Sequence, residues 1–188
     1  MTPEKQLVSV IRKNIDTTSI NAWHFKSHGG GMPADYQSRV YSAQDVGLPD
    51  LICCIAGVFV GIECKVYPRE FTLHQCSTLR KIIIAGGVGI GVVLFEREIK
   101  LLTLQQVLQY RLGKKKDMCN NGRDICKSPM DTTLLACITL EHINNMNKMR
   151  EIGIDGYAQY IKNAYMLYEK HIKLNRKKED DSEVRHES

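Results

Sequence analysis

No apolar run in this 188-residue chain is long and unbroken enough to span a bilayer. Leu51 to Ile55 is short, and the longer stretch from Ile82 to Phe95 is interrupted by Gly86, Gly87, Gly89 and Gly91. The opening residues Met1-Thr2-Pro3-Glu4-Lys5 lack the apolar segment of a secretory signal. The expectation is a protein without membrane partners, cytoplasmic or nucleoid-associated. Proline is sparse, with five residues, and aromatics make up only 7%. With 43% hydrophobic and 25% charged residues the composition excludes collagen-like and disordered chains and permits a real core. An even cysteine set is also missing. The seven cysteines include Cys53, Cys54, Cys64 and Cys76 inside apolar segments, which suits reduced, buried thiols better than a disulfide framework. Cys119 and Cys126 flank a turn-like Asn120-Asn121-Gly122 but have no second ligand pair for zinc. Neither sign of charge dominates: 26 Lys and Arg against 21 Asp and Glu give +5, which permits nucleic-acid binding without requiring it.

What is present is a sequence of amphipathic and apolar segments. Leu7, Val8, Val10, Ile11 and Ile15 recur at helical spacing after Pro3, and predict a first helix over 4–15. Ala22 to Lys26 reads as a short strand, and the polar stretch 27–44, with Gly29-Gly30-Gly31, reads as a long loop. Residues 50–56 and 58–66 predict two antiparallel strands around Gly57. Leu73, Cys76, Leu79, Ile82 and Ile83 predict a helix over 72–85 ended by Gly86-Gly87, and 88–95 predicts another strand. This order describes an α/β domain over residues 1–100. A helical extension follows over 101–175, interrupted by a basic stretch whose Lys114-Lys115-Lys116 is expected to be solvated and mobile. A charged tail, 176–188, is expected to be disordered.

Chemistry concentrates in Gly47-Leu48-Pro49-Asp50, in Glu63-Cys64-Lys65 thirteen residues later, and in Gln75 on the next helix. A carboxylate at the mouth of an apolar strand demands a partner, because desolvating it alone is costly. Glu63 and Lys65 lie two residues apart and so share one face of their strand, and a hairpin around Gly57 brings Asp50 to that same face. Two carboxylates so placed repel, and a hard divalent cation with oxygen ligands relieves the repulsion. An ammonium beside that cation suits it to orient an attacking water or to offset charge on a phosphate.

Pro-Asp, a spacer and Glu-x-Lys resemble the PD-(D/E)xK nuclease signature. Glu4 in an opening helix, Gly47 and Gln75 bring the resemblance closest to the VRR-NUC (virus-type replication-repair nuclease) branch, across about residues 1–97. The resemblance implies a restriction-endonuclease-like core, a mixed sheet flanked by helices. It implies a Mg²⁺-dependent DNA endonuclease, with Mn²⁺ substituting, acting on structured or branched DNA such as Holliday junctions, often as a homodimer. Carried across, Asp50, Glu63 and Glu4 would be metal ligands with the Cys64 carbonyl, Lys65 the catalytic lysine, and Gln75 a supporting residue. The family pattern leaves the chain beyond residue 100 unexplained.

Lys26 and His28, beside the glycine-rich stretch, together with Arg39, Arg69 and His74, are candidate DNA contacts, each equally explained as a solvated surface charge. Trp23 and Tyr36 offer rings for stacking on an unpaired base, though a core role suits the single tryptophan better. Tyr157, Tyr160, Tyr165 and Tyr168 fall near helical spacing and read first as a packed helix face. Two other functions fit the same residues: a sequence-specific restriction or homing-type endonuclease, and a DNA-binding protein that does not cut.

Overall fold

In the computed structural model the described residues are 2–17, 22–26, 48–55, 57–125 and 133–184. The elements are α1 (Pro3–Thr17), β1 (Ala22–Lys26), β2 (Leu51–Ile55), β3 (Val58–Val66), α2 (Leu73–Ile84), β4 (Val88–Phe95), β5 (Glu98–Thr103), α3 (Leu104–Arg111), α4 (Lys115–Asn120), β6 (Arg123–Ile125) and α5 (Thr133–Val184). The strands form one six-stranded sheet in the order β1-β2-β3-β4-β5-β6. Only β3 and β4 are parallel, which makes the sheet mixed, and α2 supplies the crossover between them.

Period-two patterning assigns the two faces of the sheet. Ile62 and Cys64 of β3 and Val88, Ile90 and Val92 of β4 meet the apolar side of α1 and the start of α5 in one core. Val93 and Phe95 join Leu79 and Ile83 of α2, Val107 and Tyr110 of α3, and Tyr157 and Tyr165 in a second core. Glycine lets α2 lie flat on this second face: a Cβ on Gly89 would sit 2.5 Å from the Leu79 carbonyl oxygen. The β2–β3 hairpin closes with Ile55 opposite Val58, and Gly57 takes a φ of +83° that L side chains rarely adopt.

The sheet continues past residue 100, where the sequence places the edge of the domain. That residue lies within β5, and α3, α4 and β6 add to the same cores. The sharp turn from β4 into β5 is made by Glu96 and Arg97, both at positive φ (46° and 74°), so no glycine marks it in the sequence. Lys100 is buried in this added part and is neutralised by Asp124 and by Glu98 at 2.7 Å. The Lys114-Lys115-Lys116 run, expected to be mobile, leads into α4, and Lys115 pairs with Glu70 at 2.8 Å.

α5 is one helical span broken only at Gly153, whose φ of 75° and ψ of 166° turn the chain without ending the helix pair. Of its tyrosines, Tyr157 and Tyr165 are buried, as a packed face requires, whereas Tyr160 is half exposed. The helix continues to Val184 through most of the charged tail expected to be disordered. That segment contains no glycine or proline, and its Lys, Arg and Glu are strong helix formers. Among the described residues no helix is long and apolar enough to cross a membrane.

Candidate active site

Sheet register sets the site. Leu51 pairs with Ile62, so Asp50, one step earlier, comes to lie beside Glu63. The Asp50 carboxylate is tied into the sheet end by accepting the Cys64 backbone N–H on Oδ2 at 2.8 Å. Glu63 is fully buried. Its Oε2 accepts a hydrogen bond from Gln75 Nε2 at 2.9 Å, while Oε1 is buried without any donor. Burial first, then the Asp50 charge and a hydrogen bond shared with Asp50, push the Glu63 carboxyl up to about 9, and Lys65 opposes them only in part. Two acceptors facing each other need a shared proton or a cation between them.

Lys65 reaches the same place from two residues further along β3. Its ammonium is largely buried, 3.1 Å from Glu4 Oε1 and 4.0 Å from Glu63 Oε2. Glu4 stands in the first turn of α1, where a carboxylate also suits the helix dipole, and its Oε2 accepts from Arg69 at 3.2 Å. Thus a helix, two strands and the turn after β3 converge on one charge network: Asp50, Glu63, Lys65, Glu4 and Arg69.

Gln75 has two roles in this network. It is the third residue of α2 in a capping box: its backbone N–H donates to Thr72 Oγ1 at 3.2 Å, and its Oε1 accepts the Thr72 N–H at 2.9 Å. With the amide oxygen so occupied, the amide nitrogen is aimed at Glu63. Thr72 is absent from the residues expected from the sequence, yet Thr72-x-x-Gln75 is a readable capping-box signal.

The remaining expected residues divide. Arg69, 71% exposed, stands at the mouth of the network, whereas His74 is exposed on the first turn of α2, one residue before Gln75. The Cys64 thiol lies in the apolar core and burial holds it well above its ordinary range, so only the backbone of Cys64 faces the site. Lys26 ends β1 opposite Leu51, next to Asp50 in register, but its side chain lies outside the described residues. The Trp23 side chain, His28, Tyr36 and Arg39 also lie outside them. His24 of β1 is bound to Asp16 of α1 at 2.5 Å.

No group of three or more His, Cys, Asp or Glu side chains among the described residues is arranged to hold a metal ion. A hard cation such as Mg²⁺ asks for less, one or two carboxylates with water and phosphate oxygens completing its shell. Asp50 and Glu63 fit that demand, because the two carboxyls stand against each other and Glu63 Oε1 receives no hydrogen bond from a protein donor. Comparison with known proteins assigns no family: no family model matches the chain, and no curated protein matches it.

Proposed function

We propose that the protein is a metal-dependent DNA endonuclease with a restriction-endonuclease-like, PD-(D/E)xK core. The observation that carries the reading is the buried Glu63 carboxyl, held by Gln75 on one oxygen and left without a donor on the other, beside Asp50 and 4.0 Å from the Lys65 ammonium. A structural ion pair does not need a second acid against the first, since that arrangement destabilises both. A phosphodiester-cleaving centre does, because the cation it attracts is the chemistry.

Asp50 and Glu63 would hold Mg²⁺, or Mn²⁺ in its place, with the Cys64 carbonyl and Glu4 as further oxygen donors. The ion supplies an acidified water and neutralises charge on the phosphate. Lys65 holds its ammonium between Glu4 and Glu63, where it orients that water and offsets charge on the transferring oxygens. Gln75 fixes the Glu63 rotamer, and Arg69 offers a guanidinium to the substrate phosphate at the mouth. Structured or branched DNA as substrate and a homodimeric assembly complete the proposal, the latter because two-fold symmetry suits paired cuts on two strands.

The test is cleavage of linear duplex, single strand, flap and four-way junction with Mg²⁺, Mn²⁺ or EDTA, using wild type beside Asp50→Ala. Metal-dependent cutting that vanishes in the variant supports the assignment, and the preferred substrate separates a junction resolvase from a sequence-specific enzyme. A folded wild type that binds DNA and cuts none of the four would overturn it in favour of a DNA-binding protein on the same fold.

A further inference from the structure

Away from the carboxylate network, α3, β6 and the two halves of α5 line an open cavity of about 610 Å³. That volume lies within the usual range for small-molecule sites, roughly 300–1,000 Å³. Its floor is apolar, including the buried Leu104 and Leu108 of α3. The rest of its lining is largely polar, and two neighbouring side chains on α5 bear on what could bind there. Glu141 and Asn145, one helical turn apart on α5, both line it. The Asn145 amide nitrogen is buried without a hydrogen-bond acceptor. Glu141 is a partly buried carboxyl whose desolvation is only partly offset by Arg123, and among the described residues the two close no ion pair. Arg123 and Tyr160 line the cavity too, and both are exposed, which puts a cation and an aromatic ring at its mouth.

A polar group left unpaired against a cavity is costly unless something enters to satisfy it. The complementary ligand must donate to a carboxylate and, beside that, accept from an amide N–H. It must also carry a flat or apolar body for the leucine floor and the tyrosine ring, with an anion near the mouth for the guanidinium. We propose that this cavity binds a guanine nucleotide unit. Guanine N1–H and N2–H donate together to the Glu141 carboxylate, and O6 accepts from Asn145. Arg123 pairs with the phosphate, and the Tyr160 ring packs on the base or sugar. Adenine lacks the adjacent pair of donors on that edge and leaves one carboxylate oxygen unsatisfied. The unit has two sources, a free nucleotide or a guanine extruded from a nucleic-acid strand.

Isothermal titration of the full chain with guanosine monophosphate, adenosine monophosphate and short single strands with or without one guanine tests the proposal. The guanine ligand of at least one source should bind about tenfold or more tightly than its adenine counterpart. Whichever source binds identifies the physiological form. Glu141→Gln and Asn145→Ala should each weaken guanine binding by about tenfold or more and adenine binding by less, so that the preference for guanine shrinks. Because discrimination by the wild type needs no variant, misfolding of either substitution leaves the test intact. Equal binding of guanine and adenine ligands, no binding of either, or guanine binding unaffected in folded variants would overturn it. The carboxylate network takes no part in these readouts, so this site and the nuclease centre fail independently.

Discussion

Gln75 and Glu63 are joined by a 2.9 Å hydrogen bond whose direction is set by the cap of α2. The Gln75 oxygen is already engaged by the Thr72 N–H, so its amide group cannot turn round without breaking the start of the helix. Helix capping and the orientation of a buried carboxyl are therefore one interaction. Gln75→Ala should cost about 1–2 kcal/mol of stability through the lost cap and the acceptor it abandons. If the site binds metal, apparent metal affinity or activity should fall about 10–100-fold. Gln75→Glu keeps the oxygen that caps Thr72 but sets another acceptor against Glu63, so it should spare much of the cap and still impair the site. Denaturant unfolding and cleavage assays on both variants separate the two roles, and equal activity in the three proteins would refute the orienting role.

Glu63 also makes stability depend on pH. Its carboxyl stands at about 9 in the folded protein against an ordinary 4.5. Below about 4.5 both folded and unfolded chains hold the proton, and the contribution of the buried neutral acid is fully present. As pH rises toward 9 the unfolded chain releases a proton that the folded chain keeps, and this stability is progressively lost. In EDTA the urea midpoint should fall across that window, and Glu63→Gln should flatten the fall. If Asp50 and Glu63 hold a metal, adding Mg²⁺ at pH 8 should raise the wild-type midpoint and not that of the variant. A midpoint that is the same for both proteins at every pH would count against a coupled acid pair.

Asp50 and Lys65 should show opposite balances of stability and activity. Asp50→Asn removes the charge that burdens Glu63 while keeping an oxygen for the Cys64 N–H, so the metal-free protein should be as stable as wild type or more so at pH 8. Lys65→Met leaves Glu4 and Glu63 without their buried cation and should destabilise by about 2–4 kcal/mol. If the network is a cleavage centre, cleavage should fall by about a thousandfold or more in both. Thermal melts beside rate measurements decide, and a destabilised Asp50→Asn that keeps its cleavage would show that Asp50 serves the fold alone.

At the mouth of the network, Arg69 pairs with Glu4 while remaining 71% exposed. An exposed pair contributes little, so Arg69→Ala should change stability by less than about 1 kcal/mol. If Arg69 meets a DNA phosphate, the variant should bind more weakly and lose about one unit from the slope of log affinity against log salt. Fluorescence anisotropy across a salt series in EDTA reads this without any cleavage. An unchanged slope would leave Arg69 as a surface partner of Glu4.

Local patterns made much of this architecture readable. The apolar alternation of 58–66 and 88–95 and the helical spacing of Leu73, Cys76, Leu79 and Ile83 match β3, β4 and α2. The juxtaposition of Asp50 with Glu63 follows from a two-residue hairpin loop and period-two geometry. Glu4, sixty-one residues from Lys65, comes to its side only through the packing of α1, which no spacing rule gives; its place in the site rested on resemblance. Glu141, Asn145 and Arg123 were unreadable as a group for the same reason, because the cavity exists only once α5 is folded back over α3 and β6. The sheet beyond residue 100 went unseen because its turn carries none of the usual residues.

That turn supplies the last prediction. Glu96 and Arg97 occupy positive φ, at 46° and 74°, in the tight connection from β4 to β5. Side chains with a Cβ are strained there by about 1 kcal/mol or more per residue, whereas Asn and Gly adopt the conformation readily. Neither residue takes part in the carboxylate network, and both are exposed. The double substitution Glu96→Asn with Arg97→Gly should therefore stabilise the protein, by about 0.5–1.5 kcal/mol after the entropy cost of the added glycine. Any DNA binding or cleavage should be unaffected. Equilibrium urea unfolding measures the change. A destabilised double variant would mean that the Glu96 and Arg97 side chains hold the hairpin by contacts stronger than the strain they carry, and that the β4–β5 connection is selected for more than its backbone shape.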